Sequence, residues 1–195
     1  MNGTRSDAEH WDRIFRASGE TELGWYESRL DQTFRLLERI PGWRTSTILL
    51  PGAGTSRLID RLMEEGATLI VNDISPAAIT LARERLGTQA ERIEWVGQDI
   101  AQPLPGHLPP CDIWIDRAVL HFLVEAADIE GYFRNVRQCL RADGHALFAE
   151  FALHGSPHCA GLELHRYSAE ELAERLGPEF TLIDRFEYLH TTPAE

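Results

Sequence analysis

The sequence predicts an α/β protein: a three-layer sandwich with a mostly parallel sheet and helices on both faces. Three observations predict it. Short apolar runs alternate with stretches of helical periodicity along most of the chain. The first run, Ile48-Leu49-Leu50, ends in Pro51-Gly52-Ala53-Gly54-Thr55, where one small residue separates two glycines. The second run, Leu69-Ile70-Val71-Asn72, ends in an acid, Asp73. Strand, glycine turn, helix, strand and acid form the order of a nucleotide-binding unit, with the acid placed where ribose hydroxyls would lie.

The elements follow in order. Residues 1–28 are aromatic and charged, with His10-Trp11-Asp12-Arg13-Ile14-Phe15 and Gly24-Trp25-Tyr26-Glu27. Phe34, Leu37 and Ile40 share one helical face, stopped at Pro41-Gly42. After strand one, Ser56 to Glu65 reads as a helix with Leu58, Ile59, Leu62 and Met63 inward and Gly66 as its C-terminal stop. Ala67 to Asn72 is strand two. Ser75-Pro76 is an N-cap and a first-turn proline, so a helix runs from there to Gly87. Arg92 to Val96 is strand three, and Asp112 to Asp116 is strand four after a proline-rich loop. Ile129, Tyr132, Phe133, Val136 and Leu140 repeat at helical spacing. Asp143-Gly144 then turns the chain into strand five, Ala146 to Phe151. Ser168 to Glu171 reads as a capping box for a helix that ends at Gly177-Pro178. Phe180 to Tyr188 is expected to be strand six, with no room for a seventh.

The totals exclude several classes. At 195 residues and 43% hydrophobic, the chain suits one domain with a substantial core. The net charge of −12 and scattered arginines argue against a nucleic-acid partner. The three cysteines form no C-x-x-C pair, so neither a zinc ribbon nor a disulfide framework is indicated. No apolar run reaches the length of a membrane span, and a reduced, cytoplasmic setting is the expectation. His154, His158, Cys159 and His165 invite a metal reading. Gly155, Ser156 and Pro157 among them prevent the helical spacing of a zinc motif, so no metal is expected.

Ligands of such a sheet bind at the carboxyl ends of the strands. Gly52 and Gly54 follow strand one, Asp73 strand two, Asp99 strand three, Asp116-Arg117 strand four, and Glu150 and His154 strand five. A lone acid at a strand end is ordinary turn chemistry. Acids after three successive strands beside a glycine turn make a Rossmann-like cofactor cleft the better reading. Arg57 stands where a dinucleotide fingerprint has its third glycine, which argues against NAD(P) and an oxidoreductase, the alternative class.

With these residues assembled, the chain resembles the class I S-adenosylmethionine-dependent methyltransferases along nearly its whole length. Pro51-Gly52-Ala53-Gly54-Thr55 looks like the family's glycine motif, Asp73 like its ribose acid, and Asp99-Ile100 like its adenine-binding pair. Cys111-Asp112-Ile113-Trp114-Ile115-Asp116-Arg117-Ala118-Val119-Leu120-His121-Phe122, with His10-Trp11-Asp12 and Gly24-Trp25-Tyr26, is similar to small bacterial methyltransferases related to thiopurine and elongation-factor lysine methyltransferases. The resemblance implies one methyltransferase domain over 1–195, with an N-terminal lid and helix in 1–45 and a core in 46–195. It implies S-adenosylmethionine as cofactor and S-adenosylhomocysteine as product. The implied cofactor-binding residues are Trp25, Pro51, Gly52, Ala53, Gly54, Ser56, Asp73, Ile74, Ser75, Asp99, Ile100, Asp116, Arg117 and Ala118. Tyr26, His121, Phe122 and His154 are the expected substrate residues. Asp116 and His121 are the candidate catalytic groups, although a structural ion pair for Asp116-Arg117 and a packed core histidine for His121 remain open.

The acceptor stays open between a small-molecule nucleophile and a protein lysine, and the assembly between monomer and homodimer. A cofactor-binding protein without turnover is the third functional reading. The family usually carries an acid where Leu50 stands, to hold the cofactor's amino group. Here that group would need backbone carbonyls or another side chain.

Overall fold

The computed structural model describes residues 6–17, 19, 23, 26 and 30–190. Its sheet grows from period-two alternation in short apolar strands. β1 (Thr47–Leu50), β2 (Thr68–Asp73), β3 (Glu94–Gly97), β4 (Cys111–Arg117) and β5 (Leu140–Ala149) form five parallel strands in the order β3-β2-β1-β4-β5. In β1, Ile48 and Leu50 enter one core while Leu49 enters the other. The first core packs α3 (Leu58–Glu64) and Trp43 through Leu58, Ile59 and Leu62, with Leu37 of α2 (Asp31–Leu37) beside them. The second packs α5 (Ala126–Cys139) through Ile129, Tyr132, Phe133 and Val136. Helices thus cover both faces, the three-layer α/β arrangement expected from the sequence.

Local chemistry sets the helix starts. α4 (Pro76–Leu86) begins at Ser75, whose hydroxyl accepts the Ala78 N–H at 3.1 Å, with Pro76 in the first turn. α6 (Ala169–Leu176) begins at Ser168, which accepts the Glu171 N–H at 3.0 Å. Two elements depart from expectation. α5 runs directly into β5, and the anticipated turn at Asp143-Gly144 is instead an irregularity within the strand. Leu140 pairs with Cys111 and His145 with Ile113, so residues 141–144 bulge, with Asp143 at φ +64.

The second departure is a correction. Phe180 to Tyr188, expected as strand six, has no strand structure and pairs with nothing in the sheet. Its alternating aromatic and β-branched residues suit a strand, but that preference counts only where a neighbouring strand takes up the hydrogen bonds. Leu182 and Ile183 stay exposed. Between β5 and α6 the chain adds a small antiparallel hairpin, β6 (His158–Cys159) and β7 (Leu162–Glu163), which the sequence did not suggest.

At the N-terminus, α1 (Ala8–Ala17) lies across the carboxyl rim of the sheet. Its Trp11 and Phe15 form a third apolar cluster with Ala77 and Ala78 of α4, Phe122, and Leu162 and Leu164 from the hairpin region.

Candidate functional site

The glycine turn is built by the backbone. Gly52 and Gly54 have φ of +48° and +54°, a region in which side chains are strained. The space beside each is taken. A Cβ on Gly52 would stand 2.6 Å from Val119 Cγ2, and one on Gly54 would stand 2.9 Å from Phe15 Cζ. The turn is tied to the second strand. Gly54 N–H donates to Asp73 Oδ2 at 2.7 Å, and Asn72 Oδ1 lies 3.4 Å from Gly52 N. Asn72 in turn donates to the carbonyls of Val96 and Gln98, linking the ends of β1, β2 and β3. Arg85 of α4 closes the far side, donating to the Thr55 carbonyl at 2.5 Å and pairing with Asp60 at 2.7 Å.

Asp73 is buried, and its Oδ1 accepts the Ser75 N–H at 2.8 Å. Burial pushes its carboxyl up to about 6, while the N–H donors from Ser75 and Gly54 pull it partly back. It is therefore ionised at neutral pH and keeps lone pairs for further donors. Asp99, half-buried, lines the cleft and accepts the Ala101 N–H at 2.9 Å in an Asx turn.

These residues face a cleft of about 2060 Å³. Its lining extends from the glycine turn to β5 and residues 179–190. Pro51, Gly52, Ala53, Ser56, Asp73, Ile74, Asp99, Ile100, Arg117 and Ala118 line it, as do Tyr26, Phe122 and His154 of the expected substrate set. His154 is largely exposed, 3.7 Å from Glu187. Gly54 and Ser75 lie just behind the wall, one under Phe15 and the other capping α4. Trp25 lies outside the described residues.

The two candidate catalytic groups are sealed off. Asp116 and His121 are both 0% exposed. Asp116 accepts the N–H groups of Val119 and Leu120 at 3.0 and 3.1 Å and the Tyr132 hydroxyl at 2.5 Å. His121 Nδ1 sits 2.6 Å from Glu150 Oε2, and its ring packs against Phe122 and Phe151. Burial holds the His121 ring down to about 4, so it is neutral at pH 7. Asp116 organises the turn that follows it. Among the described residues, no three His, Cys, Asp or Glu side chains converge as a metal site. None of the described helices is long and apolar enough to cross a membrane.

Sequence reasoning assigned no specific role to four contributors. Trp11 and Phe15, spaced i and i+4 on α1, line the cleft together with Tyr26; the spacing was visible, the docking was not. Arg85 and Glu150 act across distances in sequence that no local pattern carries. Leu50, where the family resemblance implies an acid, is 2% exposed and belongs to the first core.

Sheet order, glycine turn and strand-end acids give the chain the pattern of a doubly wound sheet, a class whose ligands lie at the carboxyl rim. Residues 51–146 match the family model of a methyltransferase domain. The chain is 28% identical over 152 residues to nodulation protein S of Azorhizobium caulinodans, covering 76% of this chain and 69% of that one. In structure it is similar to the N-methyltransferase NodS of Bradyrhizobium japonicum solved with S-adenosylhomocysteine, with a TM-score of 0.62, 22% identity and coverage of 74% and 73%. A structure from the conversion of a disulfide bond into a thioacetal group during echinomycin biosynthesis is similar at a TM-score of 0.69, 20% identity and coverage of 87% and 77%. Together these likenesses support a class I S-adenosylmethionine-dependent methyltransferase.

Proposed function

We propose that the chain methylates a nitrogen nucleophile on a small molecule. One observation carries the small-molecule reading: Trp11, Phe15 and Phe122 roof the cleft directly above the glycine turn, so the reacting end of the acceptor is enclosed by aromatic side chains. The nitrogen nucleophile is suggested by the likeness to nodulation protein S and to a solved N-methyltransferase.

The residues fit the cofactor. Asp73 is an ionised acceptor for ribose hydroxyls, Asp99 and Ile100 flank the adenine position, and Pro51 to Gly54, Ser56, Ile74 and Ala118 form the walls. Bound S-adenosylmethionine supplies an already electrophilic methyl group. The chain's own residues need to align the acceptor and exclude water. Trp11 and Phe15 exclude water from above, while Phe122 and Tyr26 border the acceptor side. A protonated amine must lose its proton before attack, and the apolar roof favours the neutral form. Neither Asp116 nor His121 reaches the cleft to take that proton, so bulk solvent at the open side near His154 receives it. With Leu50 in the first core, main-chain carbonyls or another side chain would hold the cofactor's amino end.

Calorimetry with S-adenosylhomocysteine tests the cofactor site; no heat and no thermal shift at millimolar ligand would sink the reading. Labelled S-adenosylmethionine with a cell lysate tests the acceptor. The expected result is label in small molecules. Label on protein lysines would overturn it and could not arise from self-methylation of lysine, since the chain contains none. A setting in the cytoplasm is part of the same reading, because a reduced compartment suits three free cysteines.

A further inference from the structure

The cleft wall facing the glycine turn is the segment 117–122, and two buried carboxyls stand behind it. Asp116 ends β4, and Glu150, whose side chain is 3% exposed, follows β5 on the neighbouring strand. Both turn onto the backbone of one short turn. Asp116 takes the N–H groups of Val119 and Leu120, and Glu150 Oε2 takes the His121 N–H at 3.2 Å and faces His121 Nδ1 at 2.6 Å. Tyr132 of α5 donates its hydroxyl to Asp116 and accepts the Trp114 Nε1–H at 2.8 Å. The segment they hold carries Ala118 at φ +66, Phe122 on Trp11, and Val119 against Gly52.

The groups facing the two carboxyls are His121 from the turn, Tyr132 from α5 and Tyr167 from the stretch before α6. His121 is neutral, and the two tyrosines carry no charge at neutral pH. Two adjacent carboxylates without a cation cannot both ionise in a buried site, so the pair keeps one proton. Asp116 takes three donors and Glu150 Oε2 takes the His121 N–H, and the two carboxyls titrate as one unit. Burial, and for Asp116 also the neighbouring Glu150, raises both carboxyls, Glu150 to about 8.

We propose that Asp116 and Glu150 form a one-proton carboxyl pair that positions the 117–122 wall of the cofactor cleft, with Glu150 and His121 as positioning residues. The inference rests on that wall bordering the cofactor site. Loss of the shared proton puts a second negative charge behind the turn. The turn then loosens, and Val119 withdraws from the glycine turn.

Amide hydrogen exchange on the ligand-free protein tests the pair without the cofactor. Protection at Val119, Leu120 and His121, corrected for intrinsic rates, should fall about tenfold from about pH 7 to about pH 9 in the wild type. Glu150→Gln mimics the protonated acid, since its amide can donate to Asp116. It should keep wild-type protection at neutral pH and lose the alkaline fall, while Glu150→Ala should be poorly protected throughout. S-adenosylhomocysteine titrations should follow the same pattern: about a tenfold alkaline loss of affinity in the wild type, none in Glu150→Gln. An alkaline fall retained in Glu150→Gln, or full protection in Glu150→Ala, overturns the pair. Affinity with the same pH profile in wild type and Glu150→Gln overturns its positioning role. If protection follows the pattern but no protein binds the ligand, the pair stands and the cofactor reading of the cleft falls. Should Glu150→Ala not fold, wild type against Glu150→Gln decides alone.

Discussion

At the scale of single residues, Gly52 shows why the turn tolerates no side chain. Its backbone sits at φ +48, and an added Cβ meets Val119 Cγ2 at 2.6 Å and Cγ1 at 2.9 Å. The left-handed conformation costs a non-glycine residue about 1–2 kcal/mol, and overpacking adds about 1–3 kcal/mol. Gly52→Ala should therefore lower stability in urea unfolding by about 2–4 kcal/mol. Val119→Ala removes the obstructing methyls, so the double variant should recover at least about 1 kcal/mol of that loss. Strictly additive losses would show that Val119 is not the obstacle. The position of Gly52 was legible in the sequence because a strand, two glycines and a downstream acid follow one another locally. The reason for it was not, because Val119 lies 67 residues away and meets it only in three dimensions. The same limit hid Glu150. It was visible as an acid at a strand end, but its partners Asp116 and His121 come from the neighbouring strand and its turn. His121 stood in an apolar setting that already allowed a packed role, and the fold gives it one.

At the scale of elements, the docking of α1 decides whether the cleft has a roof. Asp12 joins it to α4: its Oδ1 accepts the Ser75 hydroxyl at 2.5 Å and the Ala77 N–H at 3.0 Å. A negative charge at a helix N-terminus is also favoured by the helix dipole. The Ser75 hydroxyl bond, then the Ala77 N–H, hold the Asp12 carboxyl below its ordinary value. The sign follows: the tether is fully present above the ordinary carboxylate range and is lost as pH falls through the lowered value. Asp12→Ala should release α1, weaken S-adenosylhomocysteine binding about tenfold, mainly through faster dissociation, and redden the emission of Trp11. A Trp11→Phe control isolates that tryptophan from the other four in the chain. Unchanged dissociation in Asp12→Ala would mean that the helix does not cover the ligand. Elements with local start signals were readable in advance: Ser75-Pro76 and Ser168…Glu171 begin helices where expected. α1 was not, because its order comes from tertiary contacts with α4 and Phe122 more than from its own caps. Phe180 to Tyr188 erred in the opposite direction, having strand composition but no strand beside it.

At the scale of the whole molecule, three buried groups set how stability changes with pH, and they act in different windows. Asp73 is raised from 3.8 to about 6 and Glu150 from 4.5 to about 8, so each makes the native state bind protons that the unfolded chain has released. Such groups stabilise fully below the unfolded value and lose that contribution as pH rises through the folded value. His121 is lowered from 6.5 to about 4, so its penalty is relieved as pH rises toward 6.5. Below about pH 6.5 the histidine offsets one of the two carboxyls, so stability already falls there as pH rises. Above it Asp73 and His121 complete their titrations with opposite signs and nearly cancel, so the Asp116–Glu150 pair carries the remaining change. Melting temperature should therefore fall steadily from about pH 6.5 to about pH 8. The net charge of −12 adds self-repulsion over the whole surface, but salt screens that and leaves a buried pair almost untouched. Melting curves in low and in about 0.5 M salt separate the two. High salt should raise melting temperatures at every pH yet keep the fall between about pH 6.5 and 8, and Glu150→Gln should abolish that fall at both salt concentrations. A wild-type slope that vanishes in high salt would assign the fall to surface charge and leave the buried carboxyls without a share in it.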